Sequence, residues 1–347
     1  SETPEISLRS EDSTDIMWLT QGQANSLRNS RPSADMDGKM VTFESFDEFN
    51  QIYLQNLSNN QITRVTNGLN QTDPDASSYA PKISSDGKFV VFHSFATNLV
   101  PGDNNNHSDI FIYNVFNNHI SKISNSNDDL SSNEGSFYPT INSTATKIYF
   151  ESDANNLVAN YVSSSVNYRQ IYQFDHNLST GSGVISQVTN GNGDSFDCSV
   201  DGNGTRLVFT SHASNIVAGD DNNNSDVFLW DSNAFYLAGI SESGTLPYGG
   251  ATNEPVISLD GGSIAFQSSA PNMVSGRGIS NIEIIDAGLG YEDNGTVLIS
   301  DAKGTGALVS YTTNQYGEVE NFTIDAFGLG YDSNATLSIV PDPSSPN

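Results

Sequence analysis

The feature that most constrains the fold of this chain is an internal repeat between about residues 31 and 273. Each copy has a residue-proline pair, a short turn rich in Asp and Gly, and a strand that ends in Phe-x-Ser; Cys198 replaces the proline in the fourth copy. The anchor phenylalanines lie 49 to 59 residues apart, at Phe43, Phe92, Phe150, Phe209 and Phe266. A unit that recurs at this spacing is expected to fold by stacking against copies of itself.

Each copy has the strand pattern of a propeller blade. Two short strands flank the Asp-Gly turn, because Gly accepts a positive φ and Asp caps the turn; in the fourth copy we assign this turn to Asp201-Gly202. Third strands are predicted at Gln51–Leu54, Asp109–Tyr113, Gln170–Phe174 and Asp226–Trp230, and fourth strands at Ile62–Val65, Ile120–Ile123 and Ile185–Val188. Four short antiparallel strands per unit predict an all-β propeller rather than an open β-solenoid, whose repeats are usually shorter.

The repeat predicts five four-stranded antiparallel blades within residues 1–278. The fifth copy departs from the pattern after Met273, and Asp15–Thr20 resembles an isolated third strand. We therefore expect N-terminal strands to complete the fifth blade, since a closed ring leaves only short edges. Six blades is the alternative, in which the N-terminal residues and the segment after Ser275 build another blade.

The repeat frame is similar to that of a known propeller family. The second copy shows it best, with Ala80-Pro81, then Ser85-Asp86-Gly87-Lys88, then Phe92-His93-Ser94. This frame resembles the TolB-type β-propeller repeat over about two thirds of the chain. The resemblance implies the fold; it does not fix the function, because such propellers serve as periplasmic scaffolds, peptidase gates, lyases and surface proteins.

The charge balance excludes several classes of partner. The formal net charge is −28, from 13 basic and 41 acidic residues. A nucleic-acid backbone would be repelled, and so would an anionic membrane surface.

The sequence has no apolar run of the about 18 residues that a membrane-spanning helix needs. Cys198 is the only cysteine, so the chain forms no intramolecular disulfide.

Two repeats carry an asparagine-rich loop that predicts a structural calcium site. Both loops read Gly-Asp-x-Asn-x-x-Ser-Asp and run directly into a third strand. Alternating Asp and Asn side chains supply the hard oxygen ligands that Ca²⁺ prefers. The predicted ligands are Asp103, Asn105, His107 and Asp109 in one loop, and Asp220, Asn222, Asn224 and Asp226 in the other. The alternative is a polar connection held by Asx-turns.

A different repeat follows the propeller. Gly-Leu-Gly-Tyr occurs at 288–291 and again at 328–331, each time next to a predicted strand. The pattern resembles small all-β Gly-x-Gly-Tyr modules of secreted and phage tail-associated proteins. It predicts a small all-β domain at 279–341, with the glycines in tight turns and a role in packing, adhesion or assembly, followed by a tail at 342–347.

The residue before each repeat's proline is expected to face the mouth of the central channel. This geometry predicts a ring of Arg31, Ala80, Tyr138, Asp197 and Glu254. We assign ligand binding to Arg31, Tyr138, Asp197 and Glu254, whose mixed charges suit a polar ligand. The alternative is a hydrated pore in which these charges pair with one another.

The sequence favours a non-enzymatic function. It has no Gly-x-Ser-x-Gly, His-Glu-x-x-His or Cys-rich metal motif, and its five histidines are scattered. We predict a secreted or cell-surface propeller, with the periplasm as the alternative, stabilised by Ca²⁺. It would bind a protein partner, its own copies or a glycan. The alternative is a polysaccharide lyase that uses the channel mouth, although the predicted ring lacks a histidine.

Overall fold

The computed structural model describes residues 7–9, 16–18, 28–46, 48–126, 131–159, 167–241, 246–247, 250–270, 273, 291, 297–300, 305–329 and 336–339. The described chain is all-β, apart from a short 3-10 turn at Leu69–Gln71. Within these residues no helix has the length and apolar character needed to cross a membrane. The chain divides into two compact units: residues 1–238 with 252–267, and residues 239–251 with 268–347.

The first unit contains four sheets with the architecture of propeller blades. Each of these four sheets has four antiparallel strands that follow one another in chain order. Blade 1 is β3 Arg28–Ala34, β4 Met40–Phe46, β5 Asn50–Asn56 and β6 Gln61–Arg64; blade 2 is β7 Ser78–Ile83, β8 Phe89–Ser94, β9 Asp109–Asn114 and β10 His119–Lys122; blade 3 is β11 Ser136–Ile141, β12 Lys147–Ser152, β13 Gln170–His176 and β14 Gly183–Gln187; blade 4 is β15 Ser195–Val200, β16 Leu207–Ser211, β17 Asp226–Trp230 and β18 Phe235–Leu237. The predicted all-β, four-stranded antiparallel fold is therefore confirmed.

The ends of the repeat region form smaller sheets. The fifth repeat forms a two-stranded sheet of β19 Thr252–Ile257 and β20 Ile264–Ser268. At the N-terminus, β1 Ser7–Arg9 pairs with β2 Ile16–Trp18. In the described residues this pair is a sheet of its own and is not hydrogen-bonded to β19 and β20. Completion of the fifth blade by N-terminal strands, and with it the number of blades, therefore stays a prediction.

The anchor phenylalanines are explained by one aromatic pair in each complete blade. Each anchor lies directly opposite an aromatic residue of the third strand, and the two rings stack at centroid distances of 5.6 to 5.9 Å. The pairs are Phe43–Tyr53, Phe92–Phe111, Phe150–Tyr172 and Phe209–Phe228. Most of these rings are fully buried. Such cross-strand aromatic pairs stabilise a sheet beyond their buried area, by about 0.5–1.5 kcal/mol each.

In blades 2, 3 and 4 the serine of the Phe-x-Ser frame forms a side-chain hydrogen bond at the other end of the blade. In blade 2 the Ser78 hydroxyl bonds the Ser94 hydroxyl at 2.8 Å, and the same pair recurs as Ser136–Ser152 and Ser195–Ser211. The frame serine also accepts a hydrogen bond from the backbone N–H two residues later, as Ser94 does from Ala96. These serines are buried, so a hydroxyl is needed there to accept the hydrogen bond of the backbone N–H at the end of the strand.

The hairpin turns join neighbouring blades through backbone hydrogen bonds. The N–H of Met36 donates to Ser85 O at 3.0 Å, and that of Gly202 donates to Leu259 O at 2.8 Å. A Cβ on Gly202 would lie 2.7 Å from Leu259 O, so the close approach of these two turns requires glycine. The assignment of Asp201-Gly202 to the positive-φ turn position is wrong: Gly204 holds the positive φ (75°), and Asp201 caps the turn from its start.

The second unit has its own small core. β21 Val297–Ser300 pairs with β24 Thr336–Ile339, and β22 Thr305–Thr313 pairs with β23 Val319–Leu329. Its buried residues are Val297, Val309, Tyr311 and Val319. Tyr291, the last residue of the first Gly-Leu-Gly-Tyr element, packs edge-on against Tyr311. Gly328 belongs to strand β23 rather than to a turn, while residues 288–290 and 330–331 lie outside the described residues.

Candidate functional site

The predicted ring residues share one unusual backbone conformation. All five have a positive φ between 46° and 53°, although none is glycine: Arg31, Ala80, Tyr138, Asp197 and Glu254. In the four complete blades the pairing of the first two strands shifts register at this residue. A β-bulge of this kind bends the strand and redirects one side chain. The bulge thus explains why one side chain per repeat can leave the plane of its blade.

Four of the five ring residues line one cavity of about 390 Å³. Arg31, Ala80, Tyr138 and Asp197 line it, together with Lys82, Glu151, Cys198 and the prolines that follow the bulges. The Arg31 guanidinium lies 5.7 Å from the ring centroid of Tyr138, although the two residues belong to blades 1 and 3. Glu254 is not a lining residue; it accepts a hydrogen bond from Gln267. Burial, and then the Glu254 charge, raises the pKa of Asp197.

Lys82 is a cavity residue that sequence reasoning missed. It follows the bulge of blade 2 by two residues and lies in the cavity beside Arg31 and Asp197. Although the residue is exposed overall, the surrounding protein partly desolvates its ammonium group and so lowers its pKa, and the positive charge of Arg31 lowers it further. The cavity therefore holds two cationic side chains as well as acidic ones. The alternation of side chains along the strand could have drawn attention to Lys82. It would not have shown on which face of the blade the lysine side chain lies.

Side chains on the second strands hold neighbouring blades together next to the cavity. At three junctions the residue after the anchor phenylalanine accepts a hydrogen bond from the backbone N–H of the bulge residue in the next blade; we call this contact the inter-blade latch. Glu44 Oε1 accepts from the N–H of Ala80 at 2.6 Å, His93 Nδ1 from that of Tyr138 at 3.3 Å, and Glu151 Oε1 from that of Asp197 at 2.8 Å.

The Glu151 latch is reinforced by Arg169. The carboxylate is nearly inaccessible to solvent, and Arg169 Nη1 approaches its second oxygen at 3.4 Å. Arg169 is held in turn by two hydrogen bonds to Asp153 at 3.0 Å, and its guanidinium lies 4.8 Å from the ring centroid of Phe137. Burial raises the pKa of Glu151 to about 7, although the Asp197 N–H and Arg169 both act in the opposite direction.

The His93 latch sits in an aromatic cluster. Its imidazole packs against Tyr79, Phe95, Phe137 and Tyr138, with centroid distances of 5.1 to 6.4 Å. Burial lowers the pKa of His93 to about 3, and the charges of Arg31 and Arg169 act in the same direction. The imidazole is therefore neutral at physiological pH, which leaves Nδ1 free to accept the Tyr138 N–H.

The junction between blade 4 and the fifth repeat has no such latch in the described residues. Thr210 occupies the latch position, and its shorter side chain does not supply an acceptor at the distance that Glu or His reaches. Its hydroxyl is buried and has no hydrogen-bond partner. The latch is thus a property of three junctions rather than of every repeat.

In blade 2 the predicted calcium loop is organised around a lysine. Lys122, on the fourth strand, places its ammonium 3.2 Å from Asp103 Oδ1 and 3.2 Å from Asp109 Oδ2. All three side chains are at most 7% exposed. The other oxygen of Asp109 accepts hydrogen bonds from the hydroxyls of Ser124 and Ser132. Asn105 and His107 form an Asx-turn at 3.1 Å, in which Asn105 Oδ1 accepts the His107 N–H.

In blade 4 the matching loop lacks a lysine. The Asp226 carboxyl adjoins that of Asp220, and burial raises the pKa of both, that of Asp226 to about 6. Asn222 Nδ2 donates to Asp226 Oδ2 at 2.8 Å, whereas Oδ1 is buried and has no hydrogen-bond partner. The Asn224 N–H closes an Asx-turn on Asn222 Oδ1. The structure therefore brings three of the four predicted ligands together at this loop: Asp220, Asn222 and Asp226.

Other chemistry is sparse in the described part of the chain. Nowhere in it do three or more His, Cys, Asp or Glu side chains gather as a metal site would require. Cys198 is a free thiol whose pKa burial raises well above its usual value. Any calcium site in the loops would therefore rest on two carboxylates completed by amide and backbone oxygens.

Comparison with known proteins shows similarity in structure only. No protein-family model matches the sequence, and no curated protein matches it either. Among solved structures, TolB from Acinetobacter baumannii matches over 92% of this chain with 15% identity and a TM-score of 0.44, and the chain spans 62% of that protein.

Two further structures are similar to a comparable degree. The β-propeller domain of the Trilobed protease from Pyrococcus furiosus, described as having an open velcro topology, matches over 92% of this chain and 83% of its own length, with 11% identity and a TM-score of 0.46. Oligogalacturonate lyase from Vibrio parahaemolyticus matches over 92% and 84%, with 13% identity and a TM-score of 0.44. At these identities and TM-scores the similarities leave the function of this chain open.

Proposed function

We propose that this chain is a non-enzymatic interaction module of the cell surface or extracellular space, stabilised by Ca²⁺. Its binding site is the cavity at the first strands, where Arg31, Lys82, Tyr138 and Asp197 present mixed charge. The partner is a polar, charged surface: a protein, a second copy of this chain or a glycan. The net charge of −28 favours an environment rich in cations, because carboxylates in such excess repel one another.

One observation carries this proposal. The groups beside the cavity that could act as an acid or base are held in structural contacts, since Glu151 and His93 are the latches of two blade junctions. The side chains that face the cavity are held less firmly: Arg31 is 53% exposed, and Tyr138 is also exposed. A catalytic group must be oriented by its neighbours, whereas a binding surface tolerates charged side chains that adapt to a partner.

A direct test compares binding with turnover. The purified chain is screened on a glycan array, and its self-association is followed by analytical ultracentrifugation. The variants are Arg31→Glu, which inverts a charge in the cavity, and Lys88→Glu, which makes the same change at a lysine in the turn of blade 2 that is 68% exposed. We expect Arg31→Glu to weaken the observed interaction at least tenfold and Lys88→Glu to leave it unchanged.

The same purified chain is used to test for lyase activity. Acidic polysaccharides such as oligogalacturonate are incubated with the wild-type chain, and the unsaturated product is followed by ultraviolet absorbance. Turnover that Tyr138→Phe abolishes would overturn the non-enzymatic proposal. Calcium stabilisation is tested separately by thermal melting with and without chelator, because a ligand that binds only the folded state must raise its stability.

A further inference from the structure

Two loops with the same sequence pattern differ in whether the protein supplies its own cation. In both, a buried aspartate begins the third strand and a second aspartate lies six residues earlier. As whole residues, main chain included, Asp109 and Asp226 are completely buried, and Asp103 and Asp220 are each 8% exposed. The paired carboxylates are therefore removed from water in both loops, where uncompensated negative charge is costly.

Strand register identifies the residue that makes the difference. On β10, Lys122 pairs with Phe111, which lies two residues after Asp109. On β18, Leu237 pairs with Phe228, which lies two residues after Asp226. Leu237 thus holds the position in blade 4 that Lys122 holds in blade 2. Among the described residues, neither Asp220 nor Asp226 forms an ion pair with a lysine or arginine.

A second, independent observation marks the blade 4 loop as incomplete. Asp226 Oδ1 is buried and accepts no hydrogen bond, and the Asp220 carboxyl is close enough to raise the pKa of Asp226. The Thr252 hydroxyl is close enough to lower the pKa of Asp226, but it accepts the Val227 N–H and makes no hydrogen bond of normal geometry to Oδ1. In blade 2 the corresponding oxygen receives two hydroxyl hydrogen bonds. A buried carboxylate oxygen without a donor requires a partner that the chain does not supply.

We propose that the blade 4 loop binds one divalent cation, Ca²⁺, through Asp220, Asp226 and Asn222, and that Lys122 takes the place of this cation in blade 2. The inference rests on the calcium stabilisation proposed above and assigns it to one loop. Rotation of the Asn222 amide by half a turn gives up the Asx-turn with the Asn224 N–H and presents the amide oxygen to an ion bound beside Asp226. Ca²⁺ suits the loop because carboxylate and amide oxygens are its preferred ligands.

Calcium titration of the full chain, freed of divalent ions, tests this assignment by calorimetry. The wild type is expected to bind one Ca²⁺, at the blade 4 loop. Leu237→Lys, which introduces the internal cation of blade 2, should weaken that binding at least tenfold, and Asp226→Asn should do the same. Lys122→Leu, the reciprocal change, should add a second site. Melting curves in chelator establish that each variant folds; should Lys122→Leu fail to fold, Lys122→Met is used.

The possible failures separate the two proposals. A wild-type chain that binds no Ca²⁺ would remove the calcium stabilisation and the assignment together. Binding of one ion that Asp109→Asn abolishes and Asp226→Asn does not, or binding of two ions by the wild type, would overturn the assignment alone. Unchanged affinity in Leu237→Lys would do so as well, since a lysine at this position must compete with the ion.

Discussion

The junctions between the complete blades differ from the junction with the fifth repeat by one buried acceptor. In the first three, Glu44, His93 or Glu151 accepts the N–H of the next bulge residue. In the last, Thr210 has a buried hydroxyl without a partner. The comparison shows that ionisable side chains beside a cavity can serve cohesion rather than chemistry. It also identifies the junction with the fifth repeat as the one that lacks this hydrogen bond.

Removal of the Glu44 latch should have the largest effect. Its carboxyl accepts hydrogen bonds from the Ala80 N–H, the Ser30 hydroxyl and the Asn50 amide. Glu44→Ala leaves these donors unpaired, so we expect a loss of about 4 kcal/mol in the free energy of unfolding, measured by urea denaturation. Glu44→Gln keeps an acceptor and should lose about 1 kcal/mol. Equal losses in the two variants would show that the hydrogen bonds do not matter.

The Glu151 latch should make stability fall as pH rises. The folded-state pKa of about 7 lies above the ordinary value of 4.5, so the folded state binds the proton more tightly than the unfolded state. The stabilisation is complete below about pH 4.5 and is lost as pH rises through about 7. Relative to wild type, Glu151→Gln should gain about 3 kcal/mol in unfolding free energy between pH 4.5 and pH 8. A difference that does not change with pH would contradict this.

The His93 latch should have the opposite pH dependence. Its folded-state pKa of about 3 lies below the ordinary value of 6.5, so the unfolded state takes up the proton first as the solution is acidified. The stabilisation is complete above about pH 6.5 and decreases towards pH 3. Relative to His93→Asn, which retains an acceptor without titrating, the wild type should lose about 2 kcal/mol between pH 6.5 and pH 4.5. Parallel denaturation series at each pH measure the difference.

The junction between blade 4 and the fifth repeat should tolerate loss of the Thr210 hydroxyl. Thr210→Val removes a buried group that has no partner, so stability should be unchanged or rise by about 1 kcal/mol. The matched control is Thr42→Val, at another buried threonine whose hydroxyl donates to Tyr53 O at 2.9 Å. That variant should lose about 1 kcal/mol. If both substitutions destabilise the chain equally, Thr210 has a hydrogen bond in solution.

The repeat frame made much of the fold predictable from sequence, because each of its signals is local. Three of the third strands begin at the predicted residue, at Asp109, Gln170 and Asp226. The bulge falls at the residue before the proline, or before Cys198 in the fourth repeat, and Arg31, Tyr138 and Asp197 lie beside one cavity for this reason. That these residues bind a ligand stays a prediction.

What the sequence did not reveal depends on partners that are distant along the chain. Glu151 is 46 residues from the N–H that it accepts. Lys122 is 19 residues from Asp103 and lies on a different strand from Asp109. Only the register between the third and fourth strands shows that a lysine lies between the two aspartates. The turn in the fourth repeat was misplaced because Asp201-Gly202 has the Asp-Gly sequence of the other turns but lies two residues before the actual positive-φ position.

The left-handed bulge residues have a consequence for how this surface can vary. A residue with a Cβ pays about 1 kcal/mol to adopt this conformation, and glycine would not. None of the five positions is glycine, and each is occupied by a different amino acid. The bulge comes from the backbone, and the three latches bind only the N–H of Ala80, Tyr138 and Asp197, so these hydrogen bonds do not depend on which side chain the bulge residue carries. A substitution at one of these five bulge positions can therefore change the binding specificity of the surface, one residue at a time, while the backbone of the blades stays the same.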